Sequence, residues 1–506
     1  MDDLLGSFRW YDTLYINENN LDKRSHQVSF MKDIYSRAKH VVVWLGQDEA
    51  CQAALATSII NSTFESMKYE SRIAAEQNIW IEDEEVYQMK VRERLPPRDH
   101  ADWQAVWWLF RREWFSRVWI IQEVSQDLDS IVMIGDHSVS YYRSVMTAVV
   151  FGLRKYAATY DDWQTLIRVL SVYVNVMLSR RISDHQPALL DLLSTFSVFK
   201  ATDPRDKLYA IIGLSKEGQN LEKYPLIKPD YRKTVVQTYI DLVRQLISAP
   251  RGQGYGDGGL DVLGITDITR YLEVMSSRAT NEQEVFPTWV PPFHQTSPCY
   301  SSLSTEWQTR NLATSYDSAV QSGPVSSSGS LVLKGVRLGT VAKVYNNLKY
   351  YAGYSLGFAG LFEEVKNDLT NYQGPGCVAE AFAQPFTTGK SDATSEKDVV
   401  RLSESFKKYV SAHNADDLLA DNMIIRWHYR MFLTNDGYLG YGAPPLPGCE
   451  LWLLFGGRTL YTLHRFEDFS DCYMYMGECF VHGYMKGEGM EFWKAGKLQS
   501  EWVDLR

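Results

Sequence analysis

The pattern of apolar and polar residues near the N-terminus predicts a strand, a helix and a second strand. Residues 8–16 (FRWYDTLYI) are typical of a strand, and Asn19 or Asn20 can cap the helix that follows. The residues on the apolar face of this helix are Val28, Met31, Tyr35 and Ala38. Residues 41–46 (VVVWLG) form a continuous apolar run of the kind that is buried on both faces of a parallel sheet. Together these segments predict a βαβ unit.

Polar residues that directly follow the two predicted strands are the first candidates for a ligand site. They are Asn17 and Glu18 after the first strand, and Gln47 and Asp48 after the second. In an open parallel sheet, ligands bind beyond the carboxyl ends of the strands because helix N-termini and loop amides converge there. The pattern therefore predicts a binding pocket at this edge of the sheet.

An aromatic segment over residues 103–124 predicts a second helix, and a short strand (SIVMIG) follows at residues 130–135. The residues that keep the helical period are Trp103, Trp107, Phe110, Trp114, Val118 and Ile121. A platform for stacking a nucleobase is one interpretation of the five tryptophans in this segment. Their helical spacing favours packing in the core instead.

The middle of the chain, residues 160–250, is mainly helical in its pattern. It contains DPRDKLYAIIGLS, in which Asp203 is suited to cap a helix, Pro204 to begin it and Gly213 to end it. This motif therefore has a structural explanation.

Segments rich in glycine and serine at residues 251–259 and 322–330 resemble linkers, and short apolar runs bounded by glycine, asparagine and proline follow the second. We predict three regions: 1–135, an α/β region; 136–325, mainly helical; and 326–506, a small β-rich region.

Composition and charge exclude several classes of protein. A chain of 506 residues with 45% hydrophobic residues can bury a large core, and its net charge of −10 disfavours a general role on nucleic acid or on an anionic membrane. Six cysteines without a CxxC pair indicate neither a zinc site nor a disulfide framework. The acidic start lacks the features of a secretory signal, and the longest apolar segment carries a polar stripe. We expect a cytoplasmic protein with reduced thiols, no metal and no transmembrane segment.

Four segments in the same order resemble the fungal heterokaryon incompatibility (HET) family. They are the segment from WYDTLYIN to VVVWLG (10–46), REWFSRVWIIQEV (112–124), DPRDKLYAIIGL (203–214), and the tail GYLGYG…GECFVHGYMKGE. The residues that match the family motifs are Asp12, Asn17, Gln27, Trp44, Trp119, Gln122, Glu123, Asp203, Arg205 and Asp206. The resemblance implies a domain related to Toll/interleukin-1-receptor (TIR) domains, with a flavodoxin-like parallel sheet, in proteins that trigger programmed cell death after incompatible cells fuse.

The sequence also departs from the family pattern. The usual N-terminal portion with its S-Y-x-W-G strand does not precede the first motif, so we expect a truncated gene model or a degenerate copy. Some TIR relatives cleave NAD with a glutamate, and Lys23 stands where the family commonly has Glu. A lysine has the wrong charge to stabilise an oxocarbenium-like centre, so the resemblance implies an inactive site if that glutamate is catalytic.

Three carboxylates are weak catalytic candidates: Asp12, Glu18 and Glu123. Asp12 lies inside an apolar strand, where a structural role is favoured because an unpaired buried carboxylate is costly. Glu123 either points toward the predicted pocket or forms a buried ion pair with Arg112 or Arg117. GYSLG (353–357) matches the nucleophile-elbow pattern at Ser355, but NNLKYYA before it is a poor strand.

The leading hypothesis is a HET-domain protein that acts in vegetative incompatibility and death signalling through contacts with other proteins, without a cofactor. The rival hypothesis is an enzyme that cleaves NAD or binds a nucleotide at Asn17, Glu18, Gln47 and Asp48. A third is an accessory protein of a biosynthetic gene cluster.

Overall fold

The structure is a computed structural model of the 506-residue chain. It describes residues 20–77, 100–125, 130–153, 159–181, 187–219, 221–249, 259–265, 286–296, 319–323, 329–345, 357–369, 372–387, 429–443, 445–466 and 472–506. The chain divides into two compact units, Met1–Val235 with Phe293–Ser297, and Val236–Pro292 with Pro298–Arg506. The predicted strand at 8–16, the candidates Asp12, Asn17 and Glu18, and Ser355 all lie outside the described residues.

The first unit contains a three-stranded sheet of β1 (Val42–Trp44), β2 (Ile131–Ile134) and β3 (His137–Ser140). Strand β1 runs parallel to β2, and β2 runs antiparallel to β3. The fold is therefore mixed α/β, as the pattern indicates. The parallel partner of β1 within the described residues is the strand that the sequence predicts at 130–135.

The prediction that residues 41–46 are buried on both faces is wrong. Val41 and Val43 are buried, whereas Val42 and Trp44 are each 55% exposed. An apolar run allows a strand to be buried on both faces of a sheet. Whether both faces are covered depends on which other elements pack against them. Here alternate side chains of β1 enter the core.

Helix α1 (Leu21–Arg37) begins and packs largely as its pattern predicts. The side chain of Asn20 accepts a hydrogen bond from the backbone N–H of Lys23 and so caps the helix. Val28, Met31 and Tyr35 are buried, while Ala38 is the exposed residue at which the helix ends. Helix α2 (Ala53–Gln77) follows β1.

The aromatic segment is not one helix. It consists of α3 (Trp103–Phe110), a 3-10 turn at Glu113–Ser116 and α4 (Ile120–Ser125). The chain is extended at Arg117, because Val118 N–H donates to the carbonyl of Lys200 at 2.8 Å and Lys200 N–H donates to that of Ser116 at 2.6 Å. A tertiary contact therefore interrupts a sequence that has helical periodicity.

Core packing is confirmed for three of the five tryptophans in this segment. Trp103, Trp107 and Trp114 are less than 10% exposed. The rings of Trp103 and Trp107 lie 5.1 and 5.0 Å from that of Phe151 in α5 (Tyr141–Leu153). These edge-on and tilted contacts account for the indole rings without a stacked ligand.

Further helices in the first unit are α6 (Tyr160–Arg181), α7 (Leu189–Thr195) and α8 (Asp206–Ile212), and α9 (Val235–Ser248) continues into the second unit. The helical pattern at 160–250 is confirmed. Helix α8 begins two residues later than the motif suggests, and Gly213 ends it as predicted. No helix in the described ranges has the length and apolar character needed to cross a membrane.

The second unit is β-rich, as its short apolar runs predict. Its strands are β4 (Leu331–Val344), β5 (Arg430–Thr434), β6 (Leu439–Gly442), β7 (Glu450–Leu454), β8 (Leu460–Arg465), β9 (Cys472–Val481) and β10 (Ser500–Leu505). Its other helices are α10 (Gly357–Asp368), α11 (Val378–Thr387) and α12 (Glu488–Lys494), besides a 3-10 turn at Gly259–Gly264.

Strand pairing in this sheet closes into a ring. Strand β4 pairs with both β5 and β7, and the order from β5 continues through β6, β9 and β8 back to β7. The pairing of the 14-residue β4 with β7 contains a register shift between Arg337 and Gly339. Closure of the ring protects strand edges that an open sheet would expose. The boundaries predicted near residues 135 and 325 stay predictions.

Candidate functional site

The carboxyl ends of the parallel strands β1 and β2 lie together. The predicted pocket lies between β1 and the strand predicted at residues 8–16, which is outside the described residues. Gly135, after β2, donates its N–H to the carbonyl of Gly46, after β1, at 2.9 Å. Both glycines have positive φ angles, +95° at Gly46 and +51° at Gly135. A Cβ on Gly135 would lie 3.2 Å from the Cβ of Asp48, so the two loops pack tightly.

Asp48 lies in this loop and caps α2. Its Oδ1 accepts the N–H of Gln52 and its Oδ2 accepts that of Ala53, both at 3.0 Å. The carboxylate therefore satisfies two of the backbone donors that a helix N-terminus leaves unpaired. Capping of α2 therefore explains the aspartate at this position, and no bound ligand is needed to explain it.

Gln47 is exposed, and its backbone carbonyl accepts a hydrogen bond from Nη2 of Arg112 at 3.2 Å. The guanidinium of Arg112 lies 4.5 Å from the ring centre of Trp108. Its Nε is buried and has no hydrogen-bond partner among the described residues. Arg112 is therefore a cation at the edge of the sheet, whereas the sequence suggested it only as an ion-pair partner of Glu123.

Glu123 lies in the aromatic core. It is 6% exposed, and its Oε2 accepts the indole N–H of Trp114 at 2.7 Å. The hydrogen bond offsets part of the cost of burying this polar group. Glu123 thus has a structural partner in the same segment of the chain.

A second group of polar residues comes together from four segments of the chain. We call it the arginine–aspartate cluster, and its members are Arg24, Trp119, Asp203, Arg205, Asp206 and Tyr231. Four of these residues belong to the motifs quoted above. Arg24 and Tyr231 were missed, because a pairing between α1 and residues nearly two hundred positions away has no periodic signature.

Asp206 lies at the centre of the cluster and is 7% exposed. Its carboxylate accepts the indole N–H of Trp119 at 3.2 Å, the hydroxyl of Tyr231, and Nη2 of Arg24 at 3.4 Å. The guanidinium carbon of Arg24 lies 3.7 Å from the ring centre of Tyr231. One buried carboxylate therefore joins two aromatic donors and one cation.

Asp203 and Arg205 form a tight pair beside it. Nε and Nη2 of Arg205 donate to the two carboxylate oxygens of Asp203 at 2.9 and 2.8 Å. Nη1 of Arg205 donates to the carbonyls of Tyr231 at 2.7 Å and Lys233 at 2.5 Å. Such a bidentate pair fixes geometry as well as charge. It holds the segment that contains Tyr231 against the start of α8.

The two aspartates have opposite pKa shifts. Burial raises the pKa of Asp206 to about 6, against the opposing effects of Tyr231 and Arg24. Burial also acts to raise the pKa of Asp203, but the hydrogen bonds and charge of Arg205 outweigh it and hold that pKa below its ordinary value. Burial and the neighbouring Asp206 raise the pKa of the Tyr231 hydroxyl. Asp206 is therefore the acidic group of this cluster that titrates nearest neutral pH.

Three further motif residues lie on α1, α4 and β1. Gln27 is half-buried on α1, Gln122 is buried on α4, and Trp44 is exposed on β1. Within the residues that the structure describes, no group of three or more His, Cys, Asp or Glu side chains is arranged to hold a metal ion.

Residues 4–123 match the sequence model of a family described as Heterokaryon incompatibility protein (HET). This segment of the chain is similar to the HET family. It is also 23% identical over 581 aligned positions to a protein named Heterokaryon incompatibility protein 6, OR allele, from Neurospora crassa, with 95% of this chain and 81% of that protein covered. No solved structure matches the chain.

The arginine–aspartate cluster crosses the end of the HET match. Arg24 and Trp119 lie within residues 4–123, whereas Asp203, Arg205, Asp206 and Tyr231 lie beyond it. The HET segment therefore shares a buried polar network with α8 and the loop at 230–233. Its position depends on residues that the family match does not include.

Proposed function

We propose that this HET-domain protein acts in fungal non-self recognition and triggers programmed cell death through contacts with other proteins of that pathway. The observation that carries the proposal is the HET match at residues 4–123, together with similarity over 95% of the chain to a protein named for heterokaryon incompatibility. We further propose that it works in the cytoplasm.

The chemistry of the described candidate residues supports a role in protein contact. Asp48 caps a helix, Glu123 accepts an indole N–H in the core, and Asp206 joins a buried network. In each case the carboxylate has a structural partner. A general base or nucleophile instead needs to reach a substrate atom.

The TIR-like arrangement of the sheet is part of the proposal. The parallel pair β1–β2 supports it, because parallel strands with connecting helices are typical of flavodoxin-like folds. In that arrangement residues 8–16 form a further parallel strand in the same sheet. An experimental structure with this segment antiparallel to β1, or in another sheet, would contradict the arrangement.

Inducible expression in a filamentous fungus tests the function. The full chain is expressed from a regulated promoter, and colony growth and uptake of a vital dye are recorded, with the protein level measured by immunoblot. We expect growth to stop and cells to take up dye. Growth equal to that of an empty-vector strain, at a protein level that is clearly detectable, would refute the proposal.

NAD cleavage is the alternative enzymatic function, and Arg112 at the meeting point of β1 and β2 is the observation that favours a test. Purified protein is incubated with NAD, and release of nicotinamide is measured by chromatography. We expect no release above a buffer control. Release that depends on Arg112 would replace the protein-contact proposal with an enzymatic one.

A further inference from the structure

Helix α1 is attached to the first unit in different ways along its length. From Val28 onward it buries apolar side chains, namely Val28, Met31 and Tyr35. Its first turn buries none, and Leu21 is 43% exposed. Arg24 and Ser25 make the part-buried contacts of this part of the helix instead, and Asp22 adds an exposed ion pair with Arg232 at 3.4 Å. The N-terminal half of α1 is therefore held by polar groups.

The partners of Arg24 and Ser25 lie at the start of α8 and in the loop at 230–233. Arg24 lies 3.2 Å from Asp203 and 3.4 Å from Asp206. Ser25 Oγ accepts the backbone N–H of Tyr231 at 2.9 Å. Since α8 and the loop at 230–233 are themselves joined by Arg205, they present a single preformed surface to α1.

The two aspartates of this surface depend on Arg24 to different degrees. Arg205 forms a bidentate pair with Asp203 and so compensates its charge. Within the described part of the chain, Arg24 is the cation in contact with Asp206. Loss of Arg24 leaves a buried carboxylate with neutral donors only, which is costly.

We infer that the contact between Arg24 and Asp206 is a latch that holds the N-terminal half of α1 against α8, and that its opening releases α1 while the rest of the first unit stays folded. The aromatic core supports the inference that the rest of the first unit stays folded. Trp103, Trp107 and Phe110 pack around Phe151, and none of these rings belongs to α1. Local opening of one element while the rest of a unit stays folded is a general property of proteins.

The latch gives the HET domain a regulated surface, and this consequence rests on the proposed function. Val28, Met31 and Tyr35 are buried when the latch is closed, and they become exposed once the apolar contacts that follow the latch along α1 also open. Newly exposed apolar side chains are suited to binding a partner protein. Closure keeps that surface covered until a signal opens the latch.

Hydrogen–deuterium exchange on the full chain tests the latch directly. Arg24→Gln is compared with Arg37→Gln, which removes the same charge from an exposed position of the same helix. We expect the amides of α1 to exchange about tenfold faster in Arg24→Gln, because a charged hydrogen bond is lost. Exchange in α3 and α5 should stay as in the wild type, and Arg37→Gln should change neither region.

A second variant keeps the test decisive if Arg24→Gln folds poorly. Tyr231→Phe removes one hydroxyl donor to Asp206 and little volume. It should also accelerate exchange in α1, by a smaller factor. Unchanged exchange of α1 in both variants, or equal acceleration in α1, α3 and α5, would overturn the latch.

The failure of the latch and the failure of the proposed function are distinguishable. Exchange is measured on purified protein and does not depend on a cell-death response. In the fungal expression assay, we expect Arg24→Gln to cause death at a lower protein level than Arg37→Gln. Faster exchange of α1 with no such difference would overturn the link between the latch and signalling and leave the latch itself confirmed.

Discussion

The indole N–H of Trp119 donates a hydrogen bond to the carboxylate of Asp206 at 3.2 Å, across 87 positions of sequence. Trp119 lies inside the segment that matches the HET family, and Asp206 lies outside it. Because the same carboxylate also contacts Arg24, this one residue connects two parts of the HET segment. Its replacement should therefore affect both.

Asp206→Ala should destabilise the protein strongly. The substitution leaves the donors of Trp119, Tyr231 and Arg24 without their shared acceptor in a buried site. We expect the free energy of unfolding to fall by about 2–4 kcal/mol, measured by urea denaturation. Asp33→Ala, at an exposed position of α1, should change it by less than about 0.5 kcal/mol. Equal effects of the two substitutions would contradict the central role of Asp206.

The pH dependence of stability should change when Asp206 cannot titrate. Its pKa is raised from 3.8 to about 6, so its contribution to stability is complete below pH 3.8 and is lost as the pH rises through about 6. The wild type should therefore lose about 3 kcal/mol relative to Asp206→Asn between pH 3.8 and pH 7. Urea denaturation of both proteins across this range measures the difference. A constant difference would show that the pKa of Asp206 is not raised.

Trp114→Phe should destabilise the aromatic core more than its lost volume alone explains. The substitution removes the N–H that Glu123 accepts at 2.7 Å and leaves a buried carboxylate with one donor fewer. We expect a loss of about 2–3 kcal/mol in the free energy of unfolding. The matched control is Trp163→Phe, at a position that is 45% exposed, where the change should stay below about 0.5 kcal/mol.

Asp48→Ala should weaken the start of α2. Its two oxygens cap the N–H groups of Gln52 and Ala53, and loss of a helix cap costs about 1 kcal/mol. Asp48→Ser should recover part of this stability, because its single hydroxyl oxygen can accept one of the two N–H groups. If Asp48 served a ligand instead, alanine and serine would have the same small effect on urea denaturation.

Local interactions account for what the sequence by itself determined. The cap at Asn20 and the buried face of Val28, Met31 and Tyr35 follow from residues within a few positions of each other. The core role of the tryptophans follows from their amphipathic spacing. The order of four motifs was enough to indicate the HET family, which the match at residues 4–123 supports.

Tertiary structure alone decided the features that depend on distant partners. The aromatic segment has a helical period, yet its pairing with Lys200 extends the chain at Arg117 and divides the helix. Trp44 lies in an apolar run but is exposed. The sequence could not predict this, because no local pattern records which faces of a sheet become covered. Arg24 and Asp206 are 182 positions apart, and only the folded chain brings a cation to a buried carboxylate over that separation.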